Sequence, residues 1–181
     1  MKKLTVTLLL FSFFYSKAQS VDDSKPILER SHEVKIGVIK LLAGPIFEGS
    51  YEYIQDSNTG FGASILLNLN KDNDYFEDYS LTPFYRMYFQ SYEDYGAKGF
   101  FVEGFTSFYG AREFIVLEDV FGMEEERSFF DIAVGIGLGK KWINTAGFVF
   151  EFKIGGGRSL LGNGDLDFIL KGDLSICLLY T

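Results

Sequence analysis

Over residues 147–157, and again over 167–180, the chain alternates bulky apolar side chains with small or charged ones, a pattern that extended strands sort onto two faces. Phe148, Phe150, Phe152 and Ile154 fall on one parity, and Gly147, Val149, Glu151, Lys153 and Gly155 on the other. The next stretch repeats it, with Phe168, Leu170, Leu174, Ile176, Leu178 and Tyr180 opposed to Asp167, Lys171, Asp173, Ser175 and Cys177. Earlier in the chain, Phe130, Ile132, Val134, Ile136 and Leu138 oppose Asp131, Ala133, Gly135, Gly137, Gly139 and Lys141. Phe61, Ala63, Ile65, Leu67 and Leu69 oppose Gly60, Gly62, Ser64, Asn68 and Asn70. Eight segments of this kind are expected, at 33–41, 45–54, 59–70, 79–89, 98–111, 128–141, 147–157 and 167–180. No helical periodicity of useful length competes with them, so the fold class is all-β.

The connections lean toward a short-long alternation, 55–58 and 142–146 being tight while 71–78, 112–127 and 158–166 are longer. Such spacing suits an up-and-down antiparallel meander, although the short 42–44 link and the longer 90–97 link depart from it. Eight antiparallel strands can close into a barrel, which leaves no unpaired edge.

Which face lies inside then decides the environment. A soluble, lipocalin-like barrel turns its apolar face inward to hold an apolar ligand, whereas a transmembrane barrel turns it toward lipid. An eight-stranded lumen is barely wide enough for its own side chains. It has no room for a face this rich in Phe and Tyr, which number 20 and 11 in the whole chain. It does accommodate Gly, Ser and paired charges. The expected fold is therefore an eight-stranded antiparallel up-and-down transmembrane β-barrel, its strands near the ~9–11 residues that span the hydrocarbon layer.

The N-terminus supports export. Lys2 and Lys3 precede an apolar run from Leu4 to Tyr15, and Ser16-Lys17-Ala18 has small residues at both recognition positions of a signal peptidase. Residues 1–18 are expected to be a cleaved signal peptide, 19–32 a short polar periplasmic leader with Pro26, and 33–181 the barrel. The apolar run is shorter than the ~20 residues of a membrane-spanning helix. A formal net charge of −8 disfavours binding to a phosphate backbone, so no nucleic acid partner is expected.

The run from Glu33 to Glu52, with its Lys-bearing strand, Leu41-Leu42-Ala43-Gly44 turn and closing Ser50-Tyr51-Glu52, resembles the opening hairpin of a family of small bacterial outer-membrane barrels of unknown function. Pro83-Phe84-Tyr85-Arg86-Met87-Tyr88-Phe89 is similar to that family's Pro-x-Tyr-Arg-x-Tyr-Phe strand. The resemblance covers about a quarter of the chain. It implies an eight-stranded, OmpA/OmpX-like barrel in the outer membrane of a Gram-negative envelope, and it brings no catalytic residues.

On the inward parity the sequence places Lys35, Glu48, Glu52, Arg86, Glu103, Asp131, Lys141, Glu151, Lys153, Lys171 and Asp173. Isolated charges in a narrow lumen are strongly penalised, so these are expected to form a ladder of interior ion pairs and hydrogen bonds. Catalysis is not expected: His32 is the one histidine and precedes the first strand, leaving Ser107 and Ser159 without an ordinary base. One histidine and one cysteine make no metal cluster, and no cofactor is expected. Gly155-Gly156-Gly157-Arg158 lacks the strand-to-helix context of a phosphate loop and reads as a strand end opening into a loop. The acidic groups Asp72, Asp74, Glu77 and Asp78, and Glu118, Asp119 and 124–126, lack the spacing of a calcium loop and read as solvated charge. Cys177 reads as a small interior filler. The functional expectation is a monomeric outer-membrane protein with a structural or surface-interaction role. Its partners are outer-membrane lipid, lipopolysaccharide and the barrel-assembly machinery. The rivals are the soluble ligand-binding barrel, a narrow pore and a lipid-modifying enzyme.

Overall fold

Eight antiparallel strands close into one barrel in the computed structural model, each strand pairing with its neighbours in chain order and the last with the first. The described residues are 31–70, 73, 75–89, 97–116, 124–144, 148–164 and 167–180. The strands are β1 (His32–Gly37), β2 (Ile46–Ile54), β3 (Thr59–Asn68), β4 (Glu77–Phe89), β5 (Gly99–Val116), β6 (Glu124–Ile143), β7 (Phe148–Ser159) and β8 (Phe168–Tyr180). A short helix, α1 (Val38–Ala43), follows β1. The expected signal peptide lies outside the described residues, as do nearly all of the leader and the acidic positions Asp72, Asp74, Glu118 and Asp119.

The end of the barrel that carries the 55–58 turn is here called its base, and the end that carries α1 its mouth. At the base, Asp56 accepts hydrogen bonds from the Asn58 and Thr59 amides, both at 2.8 Å, and from the Thr59 hydroxyl at 2.6 Å. These bonds favour the ionised carboxylate and hold the Asp56 carboxyl below its ordinary range, the Thr59 hydroxyl contributing most.

Two elements depart from the expected boundaries. The first strand ends at Gly37 instead of running to 41, because Val38, Ile39, Leu41 and Leu42 put bulky groups on both parities and neither parity suits a crowded lumen. Coiling as α1 turns Lys40 inward, while Ile39, Leu41 and Leu42 remain exposed. A side chain at Gly37 would meet the Asp173 carboxylate and the Glu48 stem, its Cβ falling 2.7 Å from Asp173 Oδ1. In the other direction, β5 and β6 pair far past 111 and 128, through Val116↔Glu124, so most of the expected 112–127 loop is a hairpin.

The outward parity is apolar all round: Val34, Phe47, Phe61, Ile65, Leu81, Met87, Ile136, Leu138, Phe150 and Phe152 are exposed large side chains from six strands. The inward parity is layered. An apolar cluster of Ile54, Tyr88, Ala97, Phe101, Ile143, Val149 and Cys177 fills the base. A second, of Phe84, Phe105, Tyr109, Ala111, Ala133 and Ile169, fills the mouth side. Room for these rings comes from bare backbone. The Phe105 ring lies against Gly135 and Gly157, where a Cβ would fall 2.5 and 3.2 Å from its carbons. The glycine run 155–157 is thus still inside β7, not the loop opening expected of it.

Candidate functional site

Between the two apolar clusters sits a sealed knot of charge. Glu33 and Lys35 from β1, Glu52 from β2, Arg86 from β4, Glu103 from β5, Lys141 from β6 and Glu151 from β7 converge there. Each faces inward because parity and register place it so: Arg86 lies opposite Glu103, and Lys141 opposite Glu151. Glu33 and Arg86 are both 0% exposed.

The Arg86 guanidinium donates from Nε to Glu103 at 2.6 Å and from one terminal nitrogen to Glu52 and Glu151, both at 2.9 Å. Lys35 donates to Glu151 at 2.6 Å and to Glu52. Lys141 donates to Glu33 at 2.8 Å and to Glu52 at 3.1 Å, and Tyr88 gives its hydroxyl proton to Glu52. Glu52 is therefore the hub, its carboxylate shared by three cations and a phenol. Glu33, Glu52 and Glu151 lie close enough to share a metal ion, with one oxygen from each within 4.8 Å of the others. The ammonium and guanidinium groups already fill that role, so the arrangement is a buried ion-pair network, in which Glu33 Oε1 is left without a hydrogen-bond partner.

A second, looser group lies toward the mouth. Glu48 pairs with Lys40 of α1, and its other oxygen lies 3.9 Å from Lys153. Lys171 reaches Glu77 at 3.1 Å and Ser80 at 3.3 Å. Beside them the Thr82 and Ser107 hydroxyls share a hydrogen bond at 2.9 Å.

All eleven residues expected in the interior network are inward, yet they do not form one ladder. Lys35, Glu52, Arg86, Glu103, Lys141 and Glu151 make the central knot, and Glu48, Lys153 and Lys171 the mouth group. Asp131 is held by hydrogen bonds alone: among the described residues its carboxylate forms no ion pair. It accepts from the Ser159 hydroxyl at 2.5 Å and from the Leu161 and Asn163 amides, both at 3.1 Å. It anchors the β7–β8 loop. Asp173 likewise has no ion pair among the described residues, and its Oδ1 is buried without a hydrogen-bond partner.

Four participants were absent from the expected set. Glu33 shares the parity of Lys35 and was legible on that ground. Tyr88 shares the parity of Arg86. Glu77 was not legible, because a register shift between Glu77 and Tyr79 reverses the side-chain parity and turns it inward. Lys40 faces inward through the helix.

The other singled-out residues are placed as follows. His32 Nδ1 and the Tyr51 hydroxyl share a hydrogen bond at 2.7 Å at the base rim, and the imidazole lies 5.2 Å from the Tyr53 ring. Ser159 belongs to the mouth end, opposite Ala133, and Ser107 is occupied by Thr82. Cys177 is a buried free thiol within the base cluster. No family model, curated protein or solved structure matches the chain.

Proposed function

We propose that this protein is an outer-membrane β-barrel with a structural or surface-interaction role, exported behind a cleaved signal peptide. It stands as a monomer in outer-membrane lipid and lipopolysaccharide, placed there by the barrel-assembly machinery. The observation that carries the reading is the sorting of side chains in a fold that by itself serves soluble and membrane barrels alike. Bulky apolar groups occupy the outward parity, while seven charged residues are locked together inside. Water around such an exterior would be unfavourable over most of the wall, whereas lipid suits it.

The rim chemistry agrees. Tyr51, Tyr53 and Trp142 lie toward the base, where Lys140 extends over the Phe100 and Trp142 rings at 4.6 and 5.2 Å. Amphipathic rings and a lysine that can reach head groups belong at a membrane boundary. The reading assigns no catalytic step to any residue and no cofactor.

Recovery of the expressed protein in the outer-membrane fraction, with faster gel migration when left unheated, is the expected result. Recovery as a detergent-free soluble protein would overturn the reading and favour a soluble exported barrel.

A further inference from the structure

Along β7 the outward parity reads Phe148, Phe150, Phe152, Ile154 and Gly156 from the base upward, and only then reaches a charge, Arg158. Ten residues at ~3.4 Å each, tilted about 40° to the barrel axis, rise roughly 25 Å, the height of the apolar band of a membrane barrel. Arg158 therefore stands one hydrocarbon thickness above the base rim. His32 and Tyr180 pair at the base, so on the export reading the mouth, and Arg158 with it, belongs to the outer leaflet.

The Arg158 guanidinium is exposed and makes no hydrogen bond or ion pair among the described residues. Its cross-strand neighbours are apolar, Val134 on β6 and Phe168 on β8, and the next outward residue is the exposed Leu160. Asp167, the residue before Phe168, is exposed and forms no ion pair with it. Below Arg158, bare Gly156 lies between Ile136 and Leu170. At 70% and 74% these are the most exposed large apolar side chains on the described strands. The Phe168 ring leans over Gly156, where a Cβ would fall 2.3 Å from its Cζ. The outer wall thus carries a shallow apolar groove, floored by a glycine and a ring, with one unpaired cation at its head. A guanidinium in such surroundings favours an anionic acceptor.

We propose that this groove binds a phosphorylated, multiply acylated glycolipid of the outer leaflet, with a phosphate group on Arg158 and acyl chains along Ile136, Leu170 and the Phe168 ring. The planar fork of arginine matches phosphate with two parallel hydrogen bonds and stays charged beside hydrocarbon. Its stem lies against the apolar wall while the guanidinium rises toward the head groups. Three strands, β6, β7 and β8, at ~4.8 Å spacing make a face roughly 10 Å wide. A lipid with several chains covers that face, and a single chain leaves much of it bare. The site rests on the outer-membrane reading, to which it adds the lipid group and the residue that meet.

The test is native mass spectrometry of the full-length protein released from detergent micelles and titrated with lipid A, with fully dephosphorylated lipid A, or with phosphatidylglycerol. Folding is scored separately by unheated gel migration. The folded wild type should retain one lipid A at concentrations where the other two lipids are lost. Arg158→Gln should weaken that retention about tenfold, the scale of one charged hydrogen-bonding group, and Arg158→Lys should keep part of it. Lys140→Gln, which removes an outward cation near the base, should leave it unchanged. Equal retention of the dephosphorylated lipid, unchanged retention in folded Arg158→Gln, or an equal loss in Lys140→Gln would overturn the phosphate site while leaving the membrane reading intact. Equal retention of phosphatidylglycerol would overturn the glycolipid as its occupant. Failure of the wild type to form a heat-modifiable barrel in detergent would overturn the membrane reading and the site together. The wild-type comparison of the three lipids decides the matter even where a variant does not fold.

Discussion

Arg86 and Glu103 stand directly opposite each other on β4 and β5 and are joined at 2.6 Å, while the same guanidinium is held between the Phe84 and Phe101 rings, 4.3 and 4.4 Å from their centroids. The arginine thus neutralises one layer of the barrel and packs it. Arg86→Ala leaves Glu52, Glu103 and Glu151 short of a cation in a sealed space and should cost about 3–5 kcal/mol. Arg86→Met with Glu103→Gln restores the apolar stem and removes one stranded charge, so it should recover part of that loss. Urea titrations of the vesicle-inserted protein compare the two; equal losses would mean that stranded charge is not what matters.

Phe150 and Val149 are neighbours on opposite faces of β7. Phe150→Arg puts a charge on the outward apolar wall and should cost ~2–4 kcal/mol in a bilayer. Val149 lies in the apolar base cluster, not among the small and charged residues expected along the inward parity. Val149→Thr should therefore cost about 1–2 kcal/mol for an unpaired hydroxyl. Folding titrations that reverse this order would mean the two faces have been exchanged.

Conduction through the barrel should be absent. The central knot and the two apolar clusters leave no continuous file of water, and opening one requires breaking several buried ion pairs together. Planar bilayer recordings of the purified protein should show no steady current. Reproducible single-channel steps from the wild type would refute the sealed interior.

Asp131→Ala should loosen the β7–β8 loop while the wall stays intact, because its carboxylate holds one hydroxyl and two loop amides. The expected loss is about 1–3 kcal/mol, with faster amide exchange at Leu161 and Asn163. Unchanged exchange at both amides would show that the loop holds itself.

Acid should act on the β2–β3 turn through Asp56. Its folded-state pKa is depressed, so the turn's extra stability is present above the ordinary aspartate value of about 3.9 and is lost as pH falls through the lower folded value. The Asn58 and Thr59 amide resonances should titrate below that ordinary value and stop doing so in Asp56→Asn.

The strands were legible wherever one parity was apolar and the other was not, as in Phe148 to Ile154, and the strand order followed from the connections. The central knot was legible for the same reason: Lys35, Glu52, Arg86, Glu103, Lys141 and Glu151 all sit on the inward parity of regular strands. What escaped was local departure from period two. The shift between Glu77 and Tyr79 turns an expected loop acid into the partner of Lys171, and α1 replaces half a strand with a turn and a half of helix. Arg112 and Glu113 fall within the expected 112–127 loop, yet Arg112 pairs with Asp78 at 2.8 Å and Glu113 with Arg127 at 3.6 Å. Those contacts join residues far apart in sequence or across a hairpin, which parity alone does not specify.

The β5–β6 hairpin continues after its neighbours stop. Pairing of β4 with β5 ends at Glu77↔Ala111 and that of β6 with β7 at Ala133↔Ser159, whereas the hairpin ladder runs on to Val116↔Glu124. At ~3.4 Å per residue, the five pairs past Ala111 make a free-standing ribbon on the order of 15 Å long. Among the described residues no strand covers either edge of that extension, so a wall that elsewhere closes on itself presents two short open edges here, to which an approaching strand could add.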